Sequence, residues 1–341
     1  MIEPLISLVT SAYRSDQYLE AYFQSVCAQT IFGRMEVILI LNDPSAEACA
    51  IAEMYLTRYP EQIRITKVLR ETIGVSTNRG YRQAMGRFLA YADVDDTRTP
   101  DCYERQAEVL ESNPNCDFTY GDFVVVDAPG KREGRLVNVN EFDRIELMRS
   151  SMVGANHFFR RELLDRCGYW DEQLHSGGDF DFQVRAAFNS TFKKTGGGPL
   201  FFYTRFPNSG SASSNLLQPI ERTAIELRYG AYDKTMELKG YPYINAARGY
   251  VLDKVLIHGE WRPLSAYVPG YNEMMRKHEP ARRQLAQRYR LWLLRHYLTL
   301  PTRSLYRISR PVLREGLDRL GWLEDARRLR DLFRSQGSSA P

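Results

Sequence analysis

Short apolar runs alternate with amphipathic stretches over the first hundred residues. Four strands are predicted from apolar or alternating side chains, at residues 4–10, 35–41, 63–69 and 88–92. Helices are predicted between them at residues 15–29 and 46–59, and residues 74–84 are predicted as a loop followed by a helix. Strands that alternate with helices predict an α/β fold with a mostly parallel sheet, in which right-handed crossovers place helices on both faces.

The pattern is more interrupted up to residue 215. A helix over 100–112 and a strand over 117–126 are predicted, followed by a Pro- and Gly-containing loop at 127–139. Later elements are shorter, with helices predicted at 143–149, 161–166 and 180–187 and a strand at 199–203. The serine-rich residues 208–214 are predicted to form a flexible lid.

From residue 219 the pattern becomes helical. Two amphipathic stripes are expected, one formed by Leu285, Tyr289, Trp292, Leu293, Tyr297 and Leu300 and the other by Leu313, Leu317, Leu320 and Leu323. We therefore predict an α/β domain over residues 1–215, with a nucleotide-binding half at about 1–100 and an acceptor half at about 101–215. Residues 216–341 are predicted to form a helical, basic and amphipathic C-terminal region.

The net charge of +4 conceals an uneven distribution. Residues 276–334 contain 16 Lys and Arg against 6 Asp and Glu. Such a basic region indicates an anionic partner, and we favour an anionic membrane surface over nucleic acid. Ordinary solvated helices of a C-terminal bundle are the alternative explanation.

Composition places the chain among ordinary soluble proteins, with 43% hydrophobic and 26% charged residues. No apolar run is long enough to cross a bilayer, and the first residues lack the pattern of a secretory signal. The five cysteines contain no C-x-x-C pair, which argues against a structural zinc site or a disulfide framework. We expect a cytoplasmic protein, with peripheral attachment to the inner face of the cytoplasmic membrane as an extension of this prediction.

Candidate chemistry begins where the strand over residues 88–92 ends. Asp93, Asp95 and Asp96 follow this strand directly, and three carboxylates so close together repel one another unless a cation offsets them. Open α/β sheets bind ligands at the carboxyl ends of their strands, and carboxylates suit Mg²⁺ or Mn²⁺ that bridges a diphosphate. The D-x-D spacing therefore predicts a metal or phosphate site, with loop caps before Pro100 as the alternative.

Two further acidic positions are candidates for ligand binding or catalysis. Asp43 follows the strand over residues 35–41, where it could accept a hydrogen bond from a nucleobase or form an Asx turn. Asp179 and Asp181 follow a pair of glycines, and a carboxylate there could act as a general base toward a hydroxyl group. A helix N-cap is the alternative for Asp179, and Asp181 is the second candidate base.

An ordered set of motifs resembles the family-2 glycosyltransferases of the GT-A fold, from about residue 5 to residue 203. The donor-side motifs lie at residues 9–13, 18–19, 25–30, 41–45, 78–80, 84–86 and 93–96. The acceptor-side motifs lie at residues 159–164, 168–172 and 179–185. Each motif is short, but their common order makes the resemblance fairly specific. It implies a Rossmann-like mixed sheet followed by a C-terminal helical extension.

The resemblance implies inverting, metal-assisted transfer of a sugar from a nucleoside diphosphate sugar to a hydroxyl of a glycan or lipid-linked glycan, as in polysaccharide biosynthesis. Asp43 would bind the nucleobase, and Asp93 would bind the ribose or metal-bound waters. Asp95 would hold Mn²⁺ or Mg²⁺, and Asp179 would be the catalytic base. The other donor-binding positions implied are Thr10, Ser11, Tyr13, Asn78 and Arg79.

The chain departs from the family pattern at two functional positions. Gly178 stands where an acid usually precedes the base, and Thr77 stands where an arginine usually precedes Asn78. Arg70 or Arg79 could supply the missing positive charge.

Two other functions fit parts of the same sequence. Residues 93–97 also fit the D-x-D-x-T loop of haloacid-dehalogenase-like phosphatases, with Asp93 as nucleophile and Asp95 as acid/base. That family usually opens with this loop, whereas three predicted strand–helix units precede it here. The second alternative is a non-catalytic nucleotide-sugar-binding or scaffold protein of the same fold. It is considered because Gly178 and Thr77 replace an acid and an arginine of the family pattern.

Overall fold

The computed structural model describes residues 3–150, 153–154, 157–205, 217–230, 244 and 246–299. The predicted lid at 208–214 and the leucine stripe at 313–323 lie outside the described residues. The chain divides into two compact units. The first comprises residues 1–215 with 254–271, and the second comprises residues 216–253 with 272–341.

The first hundred residues follow the predicted alternation closely. The strands are β1 (Ile6–Ala12), β2 (Met35–Asn42), β3 (Ile63–Val68), β4 (Phe88–Tyr91), β5 (Thr97–Arg98), β6 (Cys116–Gly121), β7 (Phe123–Val126), β8 (Arg135–Val137), β9 (His157–Arg160), β10 (Thr191–Thr195), β11 (Phe201–Thr204), β12 (Lys254–Ile257) and β13 (Glu260–Pro263). The helices are α1 (Asp16–Cys27), α2 (Ala46–Arg58), α3 (Ile73–Gln83), α4 (Cys102–Glu111), α5 (Arg144–Ser150), α6 (Leu163–Cys167), α7 (Gly178–Asn189), α8 (Leu217–Tyr229) and α9 (Tyr271–Thr299).

The main sheet contains seven strands in the order β10-β6-β9-β4-β1-β2-β3. Its neighbouring strands are parallel except at β9, which runs antiparallel to both β4 and β6. Every residue of β2 is buried, which explains its continuous apolar run, because helices cover both faces of a largely parallel sheet. The predicted mixed, mostly parallel sheet is confirmed.

Alternate residues of the central strands enter two separate hydrophobic cores. Leu8 lies in one core together with Phe23 of α1. Its neighbour Val9 lies in the other core, together with Trp170 and with Phe182, which belongs to α7. Because successive side chains of a strand point to opposite faces, the strands can be covered by helices on both sides.

A second sheet contains four strands in the order β5-β11-β7-β8. The single strand predicted over residues 117–126 is divided, because β6 lies in the main sheet and β7 in the second one. The change occurs at Gly121, where a Cβ atom would lie 2.6 Å from Leu200 Cδ1. The next residue, Asp122, accepts a hydrogen bond from the Val139 amide at 2.8 Å. This contact holds the segment before β7 against the end of the predicted loop 127–139, which itself contains β8.

Residues 254–263 form an antiparallel hairpin, β12–β13, in the first unit. Asp171 Oδ1 accepts a hydrogen bond from the Leu256 amide at 2.9 Å, and the Glu172 amide donates to the Leu256 carbonyl at 2.8 Å. Glu172 Oε2 also accepts from the Gly259 amide at 3.0 Å. The prediction of a helical region over residues 216–341 does not hold for residues 254–263, because these partners satisfy backbone groups of an extended hairpin.

The second unit contains α8 and α9. Tyr250 donates to the buried Glu221 carboxylate of α8 at 3.0 Å, and the buried Arg228 donates to the Val251 carbonyl at 2.9 Å. Of the stripe predicted in α9, the side chain of Leu285 is described, and it is buried. Among the described residues, no helix combines the length and apolar character that crossing a membrane requires.

Candidate active site

Residues 93–96, here called the acidic loop, lie at the carboxyl end of β4, beside the parallel strand β1. Thr10 of β1 donates through its hydroxyl to the Ala92 carbonyl at 2.9 Å. The same hydroxyl also shares a hydrogen bond of 2.8 Å with the Tyr22 phenol. The predicted donor-binding residue Thr10 therefore uses its side chain to anchor the start of the acidic loop.

The acidic loop carries more negative charge than its surroundings neutralise. Burial raises the pKa of Asp93, against the opposing effects of the Tyr91 hydroxyl and the Arg98 charge. Burial and then the charge of Asp93 raise the pKa of Asp95 to about 6. Burial, followed by the charges of Asp95 and Asp93, raises the pKa of Asp96 well above its usual range. An added cation would therefore favour the ionised form of these carboxylates.

Two residues outside the acidic loop fix its backbone. The buried Arg98 donates through Nη1 to the carbonyl of Asp96 at 2.9 Å and to that of Asp93 at 3.4 Å. Thr204, at the end of β11, donates its amide to Asp96 Oδ1 at 2.8 Å and its hydroxyl to the Asp95 carbonyl at 2.5 Å. Asp96 is thus used to hold the loop, which leaves Asp93 and Asp95 as the candidate ligands.

The acidic loop fits a divalent cation that shares its coordination with a bound diphosphate. Burial and the charge of Asp93 raise the pKa of Asp95, which a bound cation would lower, and the buried Asp96 Oδ2 has no hydrogen-bond partner within the described residues. No three His, Cys, Asp or Glu side chains of the described ranges come together to hold an ion by themselves. Mg²⁺ typically binds one or two carboxylates and completes its shell with water and phosphate oxygens, and Asp93 and Asp95 satisfy this requirement.

Tyr13 follows β1 at the carboxyl edge of the main sheet, where the donor was predicted to bind. The Arg14 and Arg70 guanidiniums lie 5.2 Å and 5.3 Å from its ring centroid, within the range of cation–π contacts. Asp43 follows β2 with a φ of +50°, and its amide donates to the Val68 carbonyl at 2.9 Å. Its side chain is exposed at this edge, and Ser11 lies partly buried within β1. Two arginines and the candidate nucleobase-binding carboxylate therefore share one edge of the sheet.

The two predicted donor residues of α3 make their contacts within the protein. The buried Asn78 side chain donates to the Trp170 carbonyl and to Glu172 Oε1, and accepts from the Trp170 amide, each at 2.9 Å. Arg79 forms a two-point ion pair with Glu71, at 2.7 Å and 3.1 Å. Of the two arginines considered as replacements for Thr77, Arg70 is therefore the one without a carboxylate partner among the described residues.

Asp179 lies in the first turn of α7 and is partly buried. Burial raises the pKa of Tyr91 well above its usual range, and the charges of Asp93 and, more weakly, Asp179 add to this effect. Tyr91 donates its hydroxyl to Asp93 Oδ1 at 2.8 Å. The N-cap of α7 is Gly177, so Asp179 is not the capping residue. Asp93 thus bonds Tyr91 directly, and Asp179 acts on the same tyrosine through its charge.

Asp181 occupies a different environment from Asp179. Both Asp181 and Arg185 are fully buried, and they form an ion pair at 2.9 Å. Arg185 also donates to the Tyr169 carbonyl at 2.8 Å and to the Cys167 carbonyl. A carboxylate held in this way is poorly placed to take a proton from a substrate, so the geometry favours Asp179 over Asp181 as the base.

The structure also identifies site residues that sequence reasoning missed. Tyr91, Arg98 and Thr204 each bond the acidic loop directly, and Arg14 lies beside Tyr13 with a φ of +49°. An arginine two residues after Asp96 was a usable signal for Arg98. For Thr204, the contact joins residues 109 positions apart, and no local pattern indicates it.

Comparisons with known proteins agree with this architecture. Residues 7–168 match the family model described as glycosyl transferase family 2. The uncharacterized glycosyltransferase YwdF of Bacillus subtilis is 27% identical over 191 residues, which cover 53% of this chain and 68% of that protein. TarS 1-349 of S. aureus, in complex with UDP-GlcNAc, aligns with a TM-score of 0.54 and 16% identity over 84% of this chain and 91% of that chain. A second TarS structure aligns with a TM-score of 0.52 and 18% identity over 72% of this chain, but this chain covers only 48% of it.

The protein is therefore a glycosyltransferase with the GT-A fold. Residues 7–168 match glycosyl transferase family 2, and this match bears out the predicted family over that region. The family match favours a glycosyltransferase over the phosphatase, which does not account for it, and relatives named glycosyltransferases favour the enzyme over the non-catalytic alternative. The roles of individual residues stay predictions.

Proposed function

We propose that this protein is an inverting glycosyltransferase that uses a nucleoside diphosphate sugar and a hydroxyl of a glycan or lipid-linked glycan. The observation that carries the proposal is the series of contacts from Asp93 through Tyr91 and Trp170 to the first turn of α7, which contains Asp179. A candidate base and a candidate donor site are thereby held close together. The complex of TarS 1-349 with UDP-GlcNAc supports a nucleotide sugar as the donor class.

Each candidate residue has one part in the proposed reaction. Asp179 accepts the proton of the acceptor hydroxyl as the oxygen forms a bond to the anomeric carbon. The bond between that carbon and the diphosphate breaks on the opposite side, which inverts the configuration. Asp43 binds the nucleobase, while Tyr13 and Arg70 contact the nucleotide at the donor edge.

The acidic loop contributes to this reaction by binding the donor. Asp95 would hold Mn²⁺ or Mg²⁺ directly, and Asp93 would contact the ribose or a metal-bound water. Such an ion would neutralise the charge that develops on the departing diphosphate. Arg98 and Thr204 keep the loop backbone in place, so that the carboxylates need little rearrangement when the donor binds.

A donor screen tests this function. We expect at least one of the UDP-, GDP-, CDP- and dTDP-sugars to release its nucleoside diphosphate, and we expect this release to require Mn²⁺ or Mg²⁺. The measurement is nucleoside diphosphate formation with and without the metal. Nucleotide binding without turnover would instead indicate a binding protein. Phosphate release from phosphomonoesters that is abolished by Asp93→Asn would indicate a phosphatase.

We also propose that the basic C-terminal region holds the enzyme at an anionic membrane surface, where a lipid-linked acceptor would be available. In α9, the side chains of Arg276, Lys277, Arg283 and Arg288 are exposed. Each basic residue near an anionic surface contributes about 1 kcal/mol, so replacing all four by Gln should weaken vesicle binding by roughly 1,000-fold. Sedimentation with phosphatidylglycerol vesicles measures this loss, and phosphatidylcholine vesicles are the control. Equal binding of the variant and the wild type would contradict the role of α9.

A further inference from the structure

The ring of Tyr91 lies in an apolar core, where a hydroxyl group contributes nothing to the packing. Tyr91 is 1% exposed, and its ring belongs to the core that also contains Trp170 and Phe182. A buried hydroxyl is costly unless it is hydrogen-bonded, and phenylalanine would fill the same space without that requirement. The bond to Asp93 Oδ1 at 2.8 Å meets this requirement and at the same time fixes the direction of the Asp93 carboxylate.

The indole ring of Trp170 packs against the ring of Tyr91. The two ring centroids are 4.8 Å apart with an interplanar angle of 51°. The backbone of Trp170 is itself held on both sides, because Asn78 donates to its carbonyl and accepts from its amide, each at 2.9 Å. The position of the indole ring is therefore set by α3 as well as by the surrounding core.

Trp170 also packs against the start of α7. A Cβ atom at Gly178 would lie 3.1 Å from Trp170 Cε3, closer than ordinary van der Waals contact. Gly178 is the first residue of α7, and the candidate base Asp179 is the second. The missing side chain at residue 178 thus lets the first turn of the helix rest directly on the indole ring. This packing is a physical reason for the glycine at residue 178.

These contacts form a continuous connection from Asp93 through Tyr91 and Trp170 to the first turn of α7. We propose that Tyr91 and Trp170 act as a rigid spacer, in which Tyr91 is a positioning residue that orients Asp93 and Trp170 sets the distance from Asp93 to Asp179. The inference rests on the proposed function for its catalytic meaning. Its structural part concerns the protein without ligand and can be tested separately.

Tyr91→Phe tests the orientation of Asp93. Partners that orient a metal ligand typically contribute 10- to 100-fold to metal affinity, so binding of UDP with Mn²⁺ should weaken by roughly that factor. Hydrogen exchange of the amides of residues 93–96 in the ligand-free protein should also become faster, because the loop loses a fixed contact. The matched control is Tyr120→Phe, which removes another buried hydroxyl, bonded to the Asn140 carbonyl at 2.9 Å.

The two variants separate positioning from packing. The proposal is supported if Tyr91→Phe and Tyr120→Phe lose a similar amount of thermal stability and only Tyr91→Phe shows faster exchange of residues 93–96. Unchanged exchange of residues 93–96 in Tyr91→Phe would overturn it, whatever the enzyme does. If the wild type binds none of the nucleoside diphosphates, the proposed function fails, but the exchange result still decides the role of Tyr91.

Gly178→Ala tests the other end of the spacer. The added methyl group should push the first turn of α7 away from Trp170 and lower kcat roughly 10-fold, with little change in the KM for the donor. Combining it with Trp170→Phe, which removes the part of the ring nearest residue 178, should restore part of the lost kcat. If the effects of Gly178→Ala and Trp170→Phe on kcat simply multiply, a direct contact between the two residues is not the cause of the loss in kcat.

Discussion

Asp179→Asn is expected to lower sugar transfer by roughly 10²- to 10⁴-fold and to leave donor binding unchanged. Asparagine has nearly the same shape as aspartate, but it cannot accept the proton of the acceptor hydroxyl. Asp179 stands in the first turn of α7, outside the acidic loop, so the metal and nucleotide contacts should persist. The measurements are single-turnover transfer at saturating donor and calorimetric binding of the nucleoside diphosphate with Mn²⁺.

Two variants serve as controls for Asp179→Asn. Asp165→Asn removes an exposed acid from the first turn of α6, so it reports the loss of a helix-terminal charge alone, about 0.3–1 kcal/mol of stability. Asp181→Asn breaks the buried pair with Arg185 and should lower the free energy of unfolding by about 3–5 kcal/mol. Turnover per folded molecule should survive in both. Normal transfer by Asp179→Asn would mean that the base is a different residue.

Asp95→Asn is expected to remove the metal dependence of donor binding. In the wild type, UDP or another accepted nucleoside diphosphate should bind much more tightly with Mn²⁺ than without it. The variant should bind the same nucleotide with one low affinity in both conditions, because an amide is a far weaker ligand for a hard cation than a carboxylate. Titration calorimetry with and without Mn²⁺ measures the difference. Retained metal dependence would exclude Asp95 as the principal ligand.

The same variant should be more stable than the wild type at neutral pH in the absence of metal. Burial and the charge of Asp93 raise the pKa of Asp95 from 3.8 in the unfolded chain to about 6 in the folded protein. The folded state therefore holds this proton more tightly, and stability falls as the pH rises from about 4 to about 6. Above that range Asp95→Asn should be stabilised by roughly 1–3 kcal/mol.

Thermal unfolding between pH 4 and pH 8, without divalent ions, measures this gain. Asp127→Asn is the control, because hydrogen bonding to Lys131 lowers the pKa of that exposed carboxyl instead of raising it. That variant should show no gain at neutral pH. Adding Mn²⁺ with a nucleoside diphosphate should stabilise the wild type and leave Asp95→Asn nearly unchanged. Equal melting temperatures of the wild type and Asp95→Asn at every pH would contradict the raised pKa of this partly buried carboxylate.

Local patterns were sufficient for the strands that carry the acidic loop. The apolar runs of β1, β2 and β4 reflect burial on both faces, which is a property of the strands themselves. The sequence of the four residues of β9 did not predict a strand. They form a strand because they lie between β4 and β6 and pair with both, and only the rest of the sheet supplies those partners.

The choice between Asp179 and Asp181 shows how an element boundary controls a functional prediction. The predicted helix began at residue 180, whereas α7 begins at Gly178, so both acids lie within the helix. Residues two positions apart are about 200° apart around a helix, and they therefore face different surroundings. Asp181 meets Arg185 one turn later, and this i,i+4 spacing was visible in the sequence once the helix was placed.

The sequence by itself determined the class of fold, the family, and the place of the acids at the ends of buried strands. These features depend on hydrophobic periodicity and on short motifs, which are properties of neighbouring residues. The tertiary structure alone decided which polar side chains are already committed to partners, as Asn78 and Arg79 are. It also placed Tyr91 between Asp93 and Trp170, against which the first turn of α7 packs. Such contacts join segments far apart in the chain, and only the packed core sets the distances between them.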